Sequence, residues 1–333
     1  MASNRRHIAI LTNPRSLSTA LEFSFKSRDD TAVIHELYGA RHWFGTEGPP
    51  EILPHLPKTK GYTFAEVKQR LANDQQETPI TVWKETSVTF PLDKEFYPKH
   101  YTPIFLIRDP RYSIMSYRKL CLAFTDGKRE NVPYGGGFIQ LRKIYDWITK
   151  EVCPDPVVID AHELSRHPKE ILTAVCEKIG IEFKDSMLHW KQNNNDHWDP
   201  VWKCLAMKAY TNVMQSQGFI PKEEQEDIEF PESIRDSIMA AIPIYESLYA
   251  KLDDGSRVGT GISHHISDIG AGAIAKQTTV PSSTLSSQSR GERSKKPTEK
   301  CLQYALETRQ RERNRLTSQL RNGMKRILRS LDE

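Results

Sequence analysis

The chain has 333 residues, 38% of them apolar, a mean hydropathy of -0.60 and a formal net charge of +4. That supports one large domain or two modest ones with solvated segments, and no run approaches the ~18 apolar residues of a membrane span. The first apolar stretch, His7–Leu11, is too short for a signal-peptide core, and five scattered cysteines without a CxxC pair exclude zinc-ribbon and thioredoxin-like motifs.

The body alternates strands with helices. Ile8–Thr12 opens it as a short apolar strand, and Ser18–Lys26 follows as a helix. Thr31–Ile34, Ile80–Trp83 and Pro103–Ile107 read as the next three strands. Pro110–Leu122 is a helix with Pro in its first turn, and Gly137–Val152 is amphipathic, with Ile144, Trp147 and Ile148 on one face. Val157–Ile159 is a fifth strand, and Pro168–Ile179 a helix ended by Gly180. The expected fold is α/β, a three-layer sandwich with a central parallel sheet and a phosphate-binding turn of the P-loop type. Ligands then bind at the carboxyl ends of the strands.

Residues 253–298 are rich in Gly, Ser and Thr, and Ser282–Ser289 reads SSTLSSQS. Such a segment buries too little to offset its ordering entropy, so it reads as a flexible linker, with His264–His265 as chance neighbours. Residues 299–333 form a basic helix with a narrow stripe of Leu316, Leu320, Met324, Ile327 and Leu331. It reads as a solvated, weakly docked helix, with association with itself or a partner, a membrane surface or nucleic acid as the alternatives. Without interleaved aromatics, nucleic acid is the weakest of these. The tail holds 15 Lys/Arg against 9 Asp/Glu, which leaves 32 and 34 in residues 1–252. The basic excess thus belongs to the tail. The cysteines (Cys121, Cys153, Cys176, Cys204, Cys301) read as reduced, small buried hydrophobes of a cytoplasm-like compartment.

Two segments carry chemistry. After the first strand comes Asn13-Pro14-Arg15-Ser16-Leu17-Ser18-Thr19-Ala20. A strand, a short turn and a helix offer backbone N–H groups and a helix dipole to a phosphate, with Arg15 as a cation and Ser16, Ser18 and Thr19 as hydroxyls. The GxxxxGK[ST] pattern is absent. After the fourth strand, Arg108-Asp109-Pro110-Arg111 leads to Ser116 on the next helix, so a guanidinium and a hydroxyl can converge on one phosphate. An ordinary helix cap and an Arg–Asp surface pair are the bland alternatives.

Together, PRSxST and strand-RDPR-x4-S resemble the P-loop sulfotransferase superfamily. Thr31–Ala40, Thr81–Glu85, Val157–Phe183 and the Trp190–Phe219 stretch with Ser216-Gln217-Gly218-Phe219 extend the resemblance over about residues 7–220. It implies a sulfotransferase that moves a sulfuryl group from 3′-phosphoadenosine 5′-phosphosulfate to a hydroxyl or amine of a small molecule, without a metal. A phosphotransferase and a non-catalytic nucleotide-binding protein are the alternatives. The resemblance assigns the 5′-phosphosulfate to Arg15, Ser16, Ser18 and Thr19, and the 3′-phosphate to Arg108 and Ser116. It makes Glu36 the general base, with His35 and Glu85 as rivals, and gives Lys84 the sulfonate or bridging oxygen. Alternation along the strand sends His35 and Glu36 to opposite faces. Tyr112 stands where the clamp commonly carries Asp, and the RKG-type motif of cytosolic members is not evident. Trp43, Phe44, Tyr62, Phe64, Tyr134, Phe138, Trp198 and Trp202 are candidates for the acceptor surface, and Gly135–Gly137 for a mobile lid. The acceptor itself is not legible.

Overall fold

The computed structural model describes residues 5–48, 58–73, 78–125, 127, 130, 132–203, 209–221 and 228–252. The linker, the basic helix, His264–His265, Cys204 and Cys301 lie outside them. The strands are β1 (Arg6–Thr12), β2 (Thr31–His35), β3 (Ile80–Thr86), β4 (Thr102–Ile107) and β5 (Val157–Asp160). They form one parallel sheet in the order β2-β3-β1-β4-β5. The chain winds to one side of β1 and then crosses to the other, so the ends of β1 and β4 face each other where the winding reverses.

Five parallel strands buried on both faces need near-continuous apolar runs, which is how they read in the sequence. On one face Ile8, Ile10, Val33, Val82, Ile104, Leu106 and Ile159 pack with Leu21 and Phe25 of helix α1 (Ser18–Lys26). On the other, Phe105 meets Tyr145 of α5 (Phe138–Glu151) with ring centroids 5.0 Å apart, and Trp83 is ringed by Tyr38, Phe90 and Tyr101 at 5.9 Å each.

The expected helices are present: α1, α4 (Pro110–Phe124), α5 and α7 (Pro168–Lys178). Three more were not foreseen: α2 (Leu37–Phe44), α3 (Phe64–Asn73) and α6 (Ala161–Arg166). Short α8 (Pro200–Lys203) and α9 (Thr211–Gln215) precede α10 (Glu232–Tyr249), also unforeseen, which buries Ile234, Ile238, Ala241, Tyr245 and Leu248 at alternating spacings of four and three. That stripe is helical in period, and Pro243 in its middle masks it. Among the described residues no helix is long and apolar enough to cross a membrane.

The glycine turn is a correction. Gly135, Gly136 and Gly137 are buried, with φ of 72°, 58° and 93°, and not an open lid. A Cβ on Gly137 would stand 2.9 Å from Pro14, Ser87 and Val88, so the turn is packed against the loop after β1. The Ser87 hydroxyl donates to the Gly137 carbonyl at 2.8 Å.

Candidate active site at the carboxyl ends of the strands

The loop after β1 is held in an uncommon shape. Arg15 and Leu17, neither of them glycine, have φ of 67° and 66°. Each such residue stores about 1–2 kcal/mol, which the surroundings must hold in place. Thr12 Oγ1 donates to the Leu106 carbonyl at 2.8 Å, and Ser16 Oγ to the Asn13 carbonyl at 2.8 Å. Ser16 is fully buried, and its hydroxyl shapes the loop from within. Ser18 and Thr19 open α1, whose first N–H groups have no helical acceptor.

The predicted donor residues converge although 93 to 101 positions separate them. Arg15 Nε donates to Ser116 Oγ at 3.1 Å, and Arg108 donates to the Arg15 carbonyl at 3.2 Å. Arg15 also donates to the Ala209 carbonyl at 2.8 Å. Burial lowers the Arg15 pKa, and Arg108 beside it adds to the shift. Asp109 is bonded to Arg111, with Nε at 2.9 Å, and caps α4 by accepting from the Arg111 N–H at 2.8 Å. The Tyr112 ring, foreign to the resembled clamp, lies 5.5 Å from the Arg108 guanidinium carbon.

The end of β2 carries a second, buried cluster. Glu36 leaves the strand with φ 34° and ψ 59°. This overturns the expected opposition of His35 and Glu36: alternation stops where the chain turns left-handed, and both join one network around Lys84. Lys84 pairs with Glu36, lies 4.0 Å from Glu22 and reaches Thr19 at 3.5 Å. Glu22, on α1, accepts from His35 Nδ1, His197 Nε2 and Trp198 Nε1, each at 2.7 Å. Burial would raise the Glu22 pKa, but the two histidines outweigh it and hold the carboxyl well below its usual range. For His35 burial dominates and lowers the pKa, against the pull of Glu22.

Glu85 is used differently. Its carboxylate accepts from the N–H groups of Tyr38 (2.8 Å), Gly39 (3.2 Å) and Thr86 (3.1 Å) and from the Thr89 hydroxyl (3.0 Å). It is the anchor for the start of α2. Burial and neighbouring Glu36 push its pKa up to about 8.

Of the eight candidate acceptor aromatics, Phe44, Tyr62, Trp198 and Trp202 cluster with Phe23 and Trp190 beyond the β2 end, and Trp43 packs at their edge. Phe64 is stacked on Phe96 at 4.8 Å, and Phe138 meets Tyr245 under α10. Tyr134 lies in the turn before α5. Glu22, His197 and Tyr210 were missed by the sequence reading. Glu22 sits mid-helix, and the other two come from a segment without regular periodicity, so nothing local marked them. Among the described residues no three His, Cys, Asp or Glu side chains are set to share a metal ion.

The family model described as the sulfotransferase domain matches residues 88–252, which takes in Arg108 and Ser116 and begins after β3. Two Arabidopsis thaliana proteins, named branched-chain-amino-acid aminotransferase-like protein 1 and 2, are 29% and 27% identical over 251 and 242 residues. These stretches are 73% and 71% of this chain but 41% and 40% of theirs, so it spans about two fifths of their length. Among solved structures, the sulfotransferase domain of the Synechococcus PCC 7002 olefin synthase superposes with a TM-score of 0.48 at 17% identity. The overlap is 74% of this chain and 96% of that one. Mouse sulfotransferase SULT7A1 complexed with PAP gives 0.36 at 12%, over 81% and 88%. Over residues 88–252, about half of its length, the chain is similar to the sulfotransferase domain.

Proposed function

We propose that the protein is a sulfotransferase that moves a sulfuryl group from 3′-phosphoadenosine 5′-phosphosulfate to a small-molecule acceptor. The observation that carries this reading is the meeting of Arg15, Arg108 and Ser116 around the start of α1, where two cations, a hydroxyl and free helical N–H groups face one place. Sulfuryl transfer spreads negative charge over equatorial oxygens in an in-line displacement, much as phosphoryl transfer does. It therefore asks for preorganised cations and dipoles more than for covalent help. Arg108 and Ser116 hold the 3′-phosphate, and the amides of the Arg15–Thr19 loop hold the 5′-phosphosulfate.

Arg15 is a fixed charge clamp, since a guanidinium does not give up its proton. Lys84, buried beside Thr19 and paired with Glu36, neutralises the sulfonate as its charge grows. The acceptor enters from the side of the Trp198–Trp202 cluster. The relatives' printed name belongs to proteins about 1.8 times as long, and no aminotransferase activity is carried over from it.

Adenosine 3′,5′-bisphosphate is the first probe. A ligand that binds only the folded state raises the melting temperature, and Arg108→Ala and Arg15→Ala are expected to abolish the rise while the free protein still folds. Transfer of labelled sulfate from the donor, read as an 80 Da gain (the mass of SO3) on the acceptor, is lost in the same variants. Full transfer by both would refute the reading.

A further inference from the structure

We infer that Glu22 and His35 form a buried proton-accepting dyad, in which His35 Nε2 takes the acceptor's proton and Glu22 acts as the positioning residue. The inference rests on the sulfuryl-transfer reading and names the base for it.

The imidazole is fixed from three sides. Its Nδ1 lies 2.7 Å from Glu22 Oε2. The Trp198 ring stacks on it with centroids 4.0 Å apart and planes 20° from parallel. Trp198 is itself tied by Nε1 to the other oxygen of Glu22, at 2.7 Å. Glu22, His35 and Trp198 thus close a triangle that leaves the ring little freedom to turn. Trp202 and Tyr210 meet it edge-on at 5.2 and 5.7 Å.

An ionised carboxylate accepts only, so Nδ1 carries the hydrogen and Nε2 keeps its lone pair. His35 is 2% exposed, and Nε2 has no hydrogen-bond partner. Trp202 Nε1, a donor on the ring beside it, has none either. A buried acceptor and a buried donor left open side by side are uncommon in a finished core. A hydroxyl can donate to the open Nε2, which an ionised carboxylate cannot. The site therefore favours an alcohol or a phenol over a carboxylate.

The step balances without a further reactant. The acceptor O–H proton moves to Nε2 as the oxygen lone pair forms the new S–O bond. The bond from sulfur to the bridging phosphate oxygen breaks, and its electron pair stays on the released adenosine 3′,5′-bisphosphate. The imidazolium formed lies against ionised Glu22, the partner that stabilises it. Glu36 is less suited, because its carboxylate is already engaged by the ammonium of Lys84. The charged and titratable groups facing His35 are Glu22 from α1, Lys84 from β3, the adjacent Glu36, and Tyr210 and Asp199 from the segment above.

The full-length protein labelled with 15N-histidine gives a direct test, with the His35 signals assigned by their loss in His35→Gln. At about pH 7.5, the expected tautomer has a protonated Nδ1 and a bare Nε2. A proton on Nε2 overturns the dyad. Turnover is read as release of adenosine 3′,5′-bisphosphate from the donor with a panel of phenols and alcohols. His35→Gln is expected to lower kcat at least about 100-fold, with unchanged stabilisation by adenosine 3′,5′-bisphosphate. Glu22→Gln is expected to lower it less and to move the acidic limb of kcat/KM to lower pH, because the carboxylate holds the imidazole pKa up. If Glu22→Gln does not fold, the wild-type tautomer and the His35 variant decide. Turnover that survives His35→Gln overturns the base alone. A wild type that binds the bisphosphate but turns over no donor overturns sulfuryl transfer, and the base with it.

Discussion

The two ends of the site are built on opposite plans. At the β1 and β4 ends, the half-buried side chains of Arg15, Arg108 and Ser116 meet at the proposed donor site, and Arg15 and Arg108 follow their strands within a few positions. At the β2 end, Glu22, His35 and Lys84 are almost wholly buried and their charges are paired across α1, β2, β3 and the 190–203 segment. The first end sets two cations, Arg15 and Arg108, close together. The second is already balanced, so removing any member leaves a partner exposed to the cost of burial. Function and stability should therefore separate at the first end and travel together at the second.

Glu22→Ala tests this most severely. It strips His35, His197 and Trp198 of their shared acceptor and removes one of the two carboxylates beside Lys84. A loss of about 3–5 kcal/mol is expected, read as a fall in the urea midpoint. A loss below about 1 kcal/mol would show that the cluster is not an interlocked unit.

Arg108→Ala should do the reverse. Free stability changes by less than about 1 kcal/mol, because the guanidinium is only half-buried where it donates to the Arg15 carbonyl at 3.2 Å and lies beside Tyr112. Affinity for adenosine 3′,5′-bisphosphate falls by about 2–3 kcal/mol, roughly 100-fold by titration calorimetry. Equal losses in both measurements would erase the contrast between the two ends.

The same contrast decides what was legible in the sequence. The meeting of Arg15, Arg108 and Ser116 could be read because they lie at fixed short offsets from strand ends: Arg15 three residues after β1, Arg108 directly after β4, Ser116 two turns into α4. The five strands were legible for the same reason, since a doubly buried parallel strand must be apolar throughout. Glu22 was not, because a Glu amid Leu21, Phe23 and Phe25 looks like a solvent-facing helix position until the 190–203 segment is laid over it. The orientation of Glu36 was hidden too, because alternation holds only while the backbone stays extended, and one left-handed residue cancels it.

Gly137→Ala joins the glycine turn to the donor end. The residue has φ 93°, and an added Cβ would press on Pro14, Ser87 and Val88 at 2.9 Å. About 2 kcal/mol of stability should be lost. Because Pro14 belongs to the loop after β1, part of that loss should reappear as weaker binding of the bisphosphate. Unchanged binding would show that the loop holds its shape without the turn.

The smallest effect is expected at Asp109, and it tests whether the donor end depends on its helix cap. Asp109 accepts from the Arg111 N–H at 2.8 Å and pairs with the Arg111 side chain at 2.9 Å from Nε, at the start of the helix that carries Ser116. Removing such a cap costs about 1 kcal/mol, and Asn, which caps as well as Asp, should restore most of it. Asp109→Ala should therefore lower the urea midpoint slightly and Asp109→Asn hardly at all. Ser116 sits nearly two turns beyond the cap, past the first turn that frays when a cap is lost. Binding of adenosine 3′,5′-bisphosphate should then change less than twofold in either variant. A larger loss in Asp109→Ala that Asn repairs would mean that the cap sets the position of Ser116. A loss in both would mean that the Asp109 charge itself restrains Arg111 from competing with Arg108 for the ligand.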